Sequence, residues 1–362
     1  MSLAVALRHR QGDFTLDVDF AAPEGVTVLY GRSGAGKSSV IGAVAGLVRP
    51  EAGRIAVGAR TLFDSAAGTD VPVHRRRAGV VFQEPRLFPH LTVRENMLYA
   101  RRVTGRRGAG ALDEVTQLLG IGALLDRRPR TLSGGEASRV AIGRALLSEP
   151  EILLMDEPLA ALDEARRAEI LPYLERLRDH ARMPILYVSH NLGEVARLAT
   201  HLVVLEGGRV VRAGPPETLL ADPSLVHLLG LREAGSVIAA RVAAHAGDGV
   251  TELSISGGPL YLPRIEAEVG TALRVRILAQ DVLLATKRPE GLSALNVLPV
   301  EVVSLRYGGG PGVTAQLRAG EDLLLARITR RSTDALGLRE GMRCFAVLKS
   351  LAVAPTDVGG PG

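Results

Sequence analysis

The chain of 362 residues is short of several things. It has one cysteine, Cys344, so no internal disulfide can form and a reducing compartment, the cytosol, is expected. It has no tryptophan and only 3% aromatic residues. No basic block is interleaved with aromatics, which argues against nucleic acid as a partner. Lysine is confined to Lys37, Lys287 and Lys349, so arginine carries nearly all the positive charge. No apolar run approaches the roughly 20 residues of a membrane span. Work at a membrane would therefore go through a partner. The first ten residues place their charges after a short apolar run, the wrong order for a signal peptide.

What is present fits a multidomain globular protein. Apolar residues make up 46%, enough for buried cores, and the length suggests two or three domains. The formal charge of +5 reads as a solvated surface, compatible with a position beside an anionic membrane.

The densest signal is Gly31-Arg32-Ser33-Gly34-Ala35-Gly36-Lys37-Ser38, which fits G-x-x-x-x-G-K-[ST] at every fixed position. A β-branched run, Val26 to Tyr30, precedes it, and the alanine-rich stretch Ser39 to Leu47 follows. Glycines at such a strand-to-helix turn let successive N–H groups face phosphate oxygens. The new helix adds its positive end. In this pattern the lysine reaches the β/γ-phosphates and the hydroxyl of Ser38 ligates Mg²⁺. Chance would give roughly a one-per-cent event over a chain this long.

Along the chain, residues 1–30 alternate as short strands, and residues 54–63 read as a hairpin. Arg75-Arg76-Arg77 reads as an exposed turn. Gly79–Phe82 is a buried strand ending at Gln83. Residues 93–128 have helical periodicity, interrupted by the glycine-rich stretch 105–110. Helices are expected over 136–148, 164–182 and 192–199, and buried strands over 151–155 and 184–188. Residues 202–212 read as a terminal hairpin. This alternation means an α/β parallel sheet. From about residue 236 the chain becomes short, evenly spaced strands with Gly/Pro turns, the pattern of a small β-barrel. Residues 230–236 are the candidate linker, and the end of the chain reads as a frayed tail.

Four more features carry chemistry. The strand Ile152–Met155 ends in Asp156 and Glu157, placed to hold Mg²⁺ and to orient or deprotonate a water. Leu132-Ser133-Gly134-Gly135-Glu136 opens a helix about 95 residues after the phosphate loop, a second anion site. Gln83 ends a strand between these motifs. His190 follows another buried strand, 34 residues beyond Asp156.

This set, in this order, resembles the ATP-binding cassette (ABC) ATPases over residues 1 to about 230. The resemblance implies an α/β P-loop fold with a helical subdomain at about 88–150. It implies ATP and Mg²⁺ as ligands. Residues Gly31 to Ser39 would hold the nucleotide, and Ser38, Gln83 and Asp156 the metal. Glu157, His190 and Gln83 would serve catalysis. Ser133, Gly134 and Gly135 would bind the γ-phosphate held by the other subunit, and Ala161-Leu162-Asp163 would be the D-loop. One phosphate loop and one signature per chain imply a head-to-tail homodimer. The family usually stacks an aromatic on adenine, and Phe14 is the only aromatic before Phe20. Glu136 stands where many relatives have Gln. Leu87-Phe88-Pro89, after Gln83, resembles a docking surface for a membrane subunit.

Residues 291–355 resemble a Mop domain, a small OB-like barrel that binds molybdate, with residues 231–290 as linker and accessory strands and 356–362 as tail. The matching positions are Ser293, Asn296, Thr329, Ser332, Lys349 and Ser350. Leu295 replaces the arginine of the usual Ser-x-Arg-Asn, and Arg330 or Arg331 could compensate. A compact ammonium at Lys349 is not interchangeable with a guanidinium at a tight oxyanion site. The whole is similar to ATP-hydrolysing subunits of bacterial molybdate importers, with molybdate as regulatory ligand. Such a subunit would be peripheral, on the cytoplasmic face of the inner membrane. Its partners would be two transmembrane permease subunits and, indirectly, a periplasmic or extracellular molybdate-binding protein, with no nucleic acid. Importers of sulfate, ferric iron or polyamine, and a soluble ABC ATPase acting on nucleic acid, are the alternatives.

Overall fold

A computed structural model describes residues 2–104 and 111–360. The expected interruption at 105–110 lies outside the described residues. Contacts divide the chain into two compact units, Met1–Ala213 and Gly214–Gly362.

In chain order the first unit opens with β1 (Leu3–Gln11), β2 (Phe14–Ala22), β3 (Gly25–Tyr30) and α1 (Lys37–Ala45). Then come β4 (Ala52–Val57), β5 (Arg60–Asp64), β6 (Thr69–Asp70) and β7 (Ala78–Val81). Four helices follow: α2 (Val93–Met97), α3 (Tyr99–Thr104), α4 (Ala111–Leu119) and α5 (Gly134–Leu146). The unit closes with β8 (Ile152–Asp156), α6 (Glu164–His180), β9 (Pro184–Ser189), α7 (Leu192–Leu198), β10 (His201–Glu206) and β11 (Arg209–Gly214). Its strands form one sheet in the order β6-β5-β4-β1-β2-β11-β10-β3-β9-β8-β7. The stretch β10-β3-β9-β8-β7 is parallel. Helices cover both faces of that part, so β9 is buried along its whole length and β8 up to Met155. β2 alternates buried and exposed positions instead, as its sequence suggests.

This topology puts the carboxyl ends of β3, β8 and β9 side by side. Tyr30 pairs with Ser189, and Asp156 with Val188. The phosphate loop, Asp156-Glu157 and His190 each follow one of these ends. Chemistry is expected at such an edge of a parallel sheet.

The arginine run 75–77 is not simply an exposed turn. Arg76 is 2% exposed. Its Nη1 donates to the carbonyls of Ala43 and Val44 at 2.6 and 3.0 Å, its Nε to Val71 O at 2.7 Å, and Nη2 to Asp70. The guanidinium thus satisfies carbonyls at the last turn of α1. It anchors the far end of the helix that the phosphate loop begins.

The second unit contains α8 (Pro216–Leu220), α9 (Val226–Leu229), β12 (Gly235–His245), β13 (Val250–Ile255), β14 (Gly258–Pro263) and β15 (Ala272–Leu278). It continues with β16 (Leu283–Ala285), β17 (Asn296–Tyr307), β18 (Gly312–Ala319), β19 (Asp322–Thr329), α10 (Arg330–Ala335), β20 (Arg343–Leu348) and β21 (Val358–Gly359). Two five-stranded sheets result, β14-β13-β12-β15-β21 and β16-β20-β17-β18-β19. They share one core, in which Val242, Leu253 and Val275 pack with Leu298, Leu317 and Ala346. The second unit is the small all-β region expected after the α/β P-loop unit.

Three sequence readings change here. Helices α8 and α9 fall in the β-rich unit, so the division lies near 213 and not near 230. Gln316 Nε2 donates to Ala221 O at 2.7 Å, and Arg274 pairs with Glu217 at 2.8 Å. Residues 231–290, read as linker and accessory strands, hold the strands, and no free linker opens them: Ala234 is buried with Val226, Ala279 and Leu325, and β12–β15 supply one sheet of the core. The tail is paired as far as β21, which bonds β15, and Asp357 meets Arg276 at 3.1 Å.

Candidate functional site

The phosphate loop leaves β3 at Tyr30 and becomes α1 at Lys37. Gly34 and Gly36 take φ of 81° and 98°, the left-handed region that glycine enters without strain. Lys37 is buried, and its Nζ donates to the carbonyls of Gly31 and Arg32 at 2.7 and 3.0 Å. Burial lowers its pKa, and the nearby Glu157 and Asp156 carboxylates oppose that shift. A cavity of about 580 Å³ opens over the loop. Ser33, Gly34, Gly36, Lys37, Ser38, Ser39, Glu157, Gln11 and Phe14 line it. Phe14 stands against the loop: a Cβ at Gly36 would lie 3.2 Å from its ring. Gln11 was not read from sequence. It faces Phe14 across the β1–β2 turn, and only that register carries it to the loop.

Asp156 and Ser38, 118 residues apart, meet at 3.1 Å. Burial raises the Asp156 pKa, and the Ser38 hydroxyl opposes it. A hydroxyl and a carboxylate side by side are hard oxygen donors and fit Mg²⁺. Such an ion would screen phosphate charge there. Glu157 follows with φ of 47°, a conformation that costs a non-glycine residue about 1–3 kcal/mol. Its N–H donates to Val188 O at 3.1 Å, and its Oε2 lies 3.3 Å from His190 Nδ1. The strained backbone turns the carboxylate toward the cavity and the histidine together. Gln83 is exposed, just beyond β7.

Ser133 caps α5. Its Oγ accepts from Glu136 N at 3.3 Å, while Glu136 Oε2 accepts from Ser133 N at 2.7 Å. Glu136 is thus one half of a capping box. The bond from the Ser133 N–H, first among the causes, lowers its pKa. The Ser133 hydroxyl spends a lone pair on the cap and keeps its proton for an anion. Gly134 packs on Leu162: a Cβ there would meet that side chain at 2.9 Å. Asp163 caps α6 by accepting from Arg166 N at 2.9 Å. Among the described residues, neither Gln83 nor Ser133–Gly135 lines the cavity of their own chain.

Phe88 is half-buried. Asn96 Oδ1 accepts from its N–H at 2.7 Å, Asn96 Nδ2 donates to its carbonyl, and its ring centroid lies 4.3 Å from that of Tyr99. Beside it Tyr99 and Val103 stay 39% and 68% exposed, an apolar patch on the helical part.

In the second unit the candidate oxyanion residues separate. Asn296 pairs with Leu348, next to Lys349 and Ser350, and Ser293 is exposed just before it. Thr329 pairs with Gly312, beyond the other end of β17, and caps α10 through Ser332 N at 3.0 Å. β17 has 12 residues. At about 3.3 Å per residue, an extended strand of that length spans on the order of 36 Å. Asn296 is 1% exposed, and its amide is already engaged. Oδ1 accepts from Tyr261 N at 2.6 Å, and Nδ2 donates to Tyr261 O at 3.0 Å. That geometry clamps the two sheets and leaves little of the amide for an anion.

Residues 16–160 match the family described as ABC transporter, and residues 292–355 match the TOBE domain. The molybdenum import ATP-binding protein ModC of Mesorhizobium japonicum is 48% identical, over 99% of this chain and 98% of its own. Its counterpart in Paramagnetospirillum magneticum is 50% identical, over 98% and 99%. That of Rhizobium meliloti is 49% identical, over 98% and 99%. Among solved structures, cbiO1 from Clostridium perfringens, described as part of the ABC transporter complex cbiONQ, superposes with a TM-score of 0.54 at 27% identity. The match covers 62% of this chain and 92% of that one.

Proposed function

The chain belongs to the family of molybdenum import ATP-binding proteins, and on that premise we propose that it is the ATP-hydrolysing subunit of an ABC importer for molybdate. The observation that carries the chemistry is the convergence of Ser38 with Asp156 and of Glu157 with His190 beside the phosphate loop.

In this reading the glycine-loop N–H groups and Lys37 bind the phosphates of ATP. Phe14 stacks on the adenine. Ser38 and Asp156 would hold Mg²⁺, and Gln83, just beyond β7, would join them. Glu157 orients a water and accepts its proton as the water oxygen bonds to the γ-phosphorus. The bond between that phosphorus and the bridging oxygen breaks, leaving ADP and inorganic phosphate. His190 holds Glu157 and contacts the transferred group. Ser133, Gly134 and Gly135 of a second copy close the site from the opposite side, so two ATPs lie between two protomers.

The partners follow from the family. ABC ATPases typically dimerise and work with a membrane permease. No helix among the described residues is long and apolar enough to cross a membrane. We place the subunit on the cytoplasmic face of the membrane, against two permease subunits, with Leu87, Phe88 and the neighbouring Tyr99 and Val103 as the docking patch. An external molybdate-binding protein would deliver the anion.

Molybdate as a regulatory ligand of the second unit is the finer proposal. Lys349, Ser350 and Ser293 at one end of β17 form the favoured subsite. Calorimetry on the full chain with molybdate, tungstate and sulfate tests it. Heat from molybdate but not sulfate is expected. No oxyanion heat would remove the regulatory role, and a preference for sulfate would favour a sulfate importer. For the catalytic reading, Glu157→Gln is expected to keep ATP binding, lose turnover and trap a dimer. Unchanged turnover would show that another group positions the water.

A further inference from the structure

Helices α6 and α7 are tied together by two arginine–carboxylate pairs, and only one of them reaches the catalytic segments. In the distal pair, Arg197 Nε lies 2.6 Å from Glu175 Oε1, both side chains being about nine-tenths buried. In the proximal pair, Arg167 Nε lies 3.3 Å from Glu194 Oε1, an ion pair without a hydrogen bond.

The proximal pair is continuous with the site on both sides. Arg167 Nη2 donates to Leu162 O at 3.2 Å, and Arg167 N donates to Asp163 O at 2.9 Å. The guanidinium thus reaches the segment Ala161-Leu162-Asp163 through Leu162 O, and the Asp163 bond is the backbone bond that opens α6. On the other side, Glu194 Oε2 accepts from Tyr187 Oη at 2.8 Å and from Ser189 Oγ at 2.7 Å. Ser189 Oγ also accepts from Asn191 N at 3.0 Å. The residues flanking His190 are therefore pinned to Glu194, and His190 faces Glu157 at 3.3 Å. Burial pushes the Glu194 carboxyl up, and the Ser189 and Tyr187 hydroxyls and Arg167 oppose it. A buried ion pair is a weak source of net stability, but it fixes orientation. The side chain of Asp163 is 61% exposed, so a second copy can reach this segment.

We propose that Arg167 is a positioning residue that couples the Ala161–Asp163 segment, through Glu194, to His190 and Glu157. Displacement of that segment by a second copy shifts Arg167, and Glu194 carries the shift to the backbone on either side of His190. The proposal rests on the reading of Glu157 and His190 as the hydrolytic pair. It assigns no contact with ATP to Arg167 or Glu194.

The test uses steady-state ATPase measurements on the full chain. Arg167→Lys keeps the charge but gives up the fork that reaches two partners at once. Glu194→Gln can still accept from Tyr187 and Ser189 through its amide oxygen, but turns an NH₂ toward Arg167. Each is expected to lower kcat about tenfold, since small misplacements of reacting groups are costly. KM for ATP should stay within about twofold. The double variant should be no slower than either single one, as expected for two residues acting through one contact. Glu175→Leu with Arg197→Met, which breaks the distal pair, should shift the thermal midpoint and leave kcat within about twofold.

Wild-type kcat in Arg167→Lys, with Glu157→Gln inactive, would overturn this proposal and leave the site reading intact. So would multiplying losses in the double variant, or equal losses of kcat from breaking the distal pair. Full activity in Glu157→Gln would overturn both.

Discussion

The two units treat their candidate anion-binding residues in opposite ways. In the first, residues from three separated stretches converge on one edge of a parallel sheet. In the second, six residues read as one oxyanion site divide between the two ends of β17, and one of them, Asn296, is spent on Tyr261. The difference follows from topology. In a parallel sheet every carboxyl end lies on the same edge, so motifs that follow different strands meet there. In an antiparallel barrel, consecutive turns lie at opposite ends. Motif residues near different turns then stay apart unless a second copy brings them together.

Four expectations test this contrast, from the largest effect to the smallest. Glu157→Gln should lower ATP turnover by about a hundredfold or more while ATP still binds, as for loss of a group acting on the nucleophilic water. Turnover assays paired with light scattering, to see the trapped dimer, check it. Asn296→Ala should destabilise the second unit by about 2 kcal/mol, because it strands the half-buried amide and carbonyl of Tyr261. Denaturant unfolding reads the loss, and ATPase activity in native buffer should not change. Lys349→Met should weaken molybdate binding about tenfold, whereas Thr329→Val should stay within about twofold, if each end of β17 acts alone. Equal weakening in calorimetry would mean that a second copy unites the two ends and would break the contrast. Leu295→Arg should tighten molybdate binding a few-fold, about the worth of one added charge-assisted contact near the surface. Leu295 is 56% exposed beside Asn296, so the new guanidinium has room. Weaker binding would show that the site is built elsewhere.

Most of the candidate nucleotide site was legible because its residues follow strands whose apolar runs mark them. Gly31–Ser39, Asp156, Glu157 and His190 each sit directly after such a run. Phe14 and Gln11 were less legible. Their place over the loop depends on β1 and β2 joining the sheet beyond β11 and β10, which no local pattern encodes. Arg76 was misread because three arginines in a row look solvated. It is buried because the last turn of α1 offers carbonyls that need a donor. Glu136 was read as standing where many relatives have Gln, and its return bond to Ser133 N makes it part of a capping box. The division between the units was misplaced because α8 and α9 look like ordinary short helices. Their packing in the second unit, through Ala221 and Glu217, is a tertiary choice.

By itself, the sequence determined which chemistry this protein performs. A glycine loop ending in lysine and serine, a strand ending in two carboxylates and a histidine after the next strand can each be read locally, because strand ends present the residues that follow them. It also determined the change from an α/β to an all-β region. Only the tertiary structure decided which residues share a site and which are used up. Meeting at 3 Å across 118 residues depends on sheet order and register, which are set by the packing of whole faces. For the same reason a buried amide such as that of Asn296 bonds whatever backbone the fold places beside it.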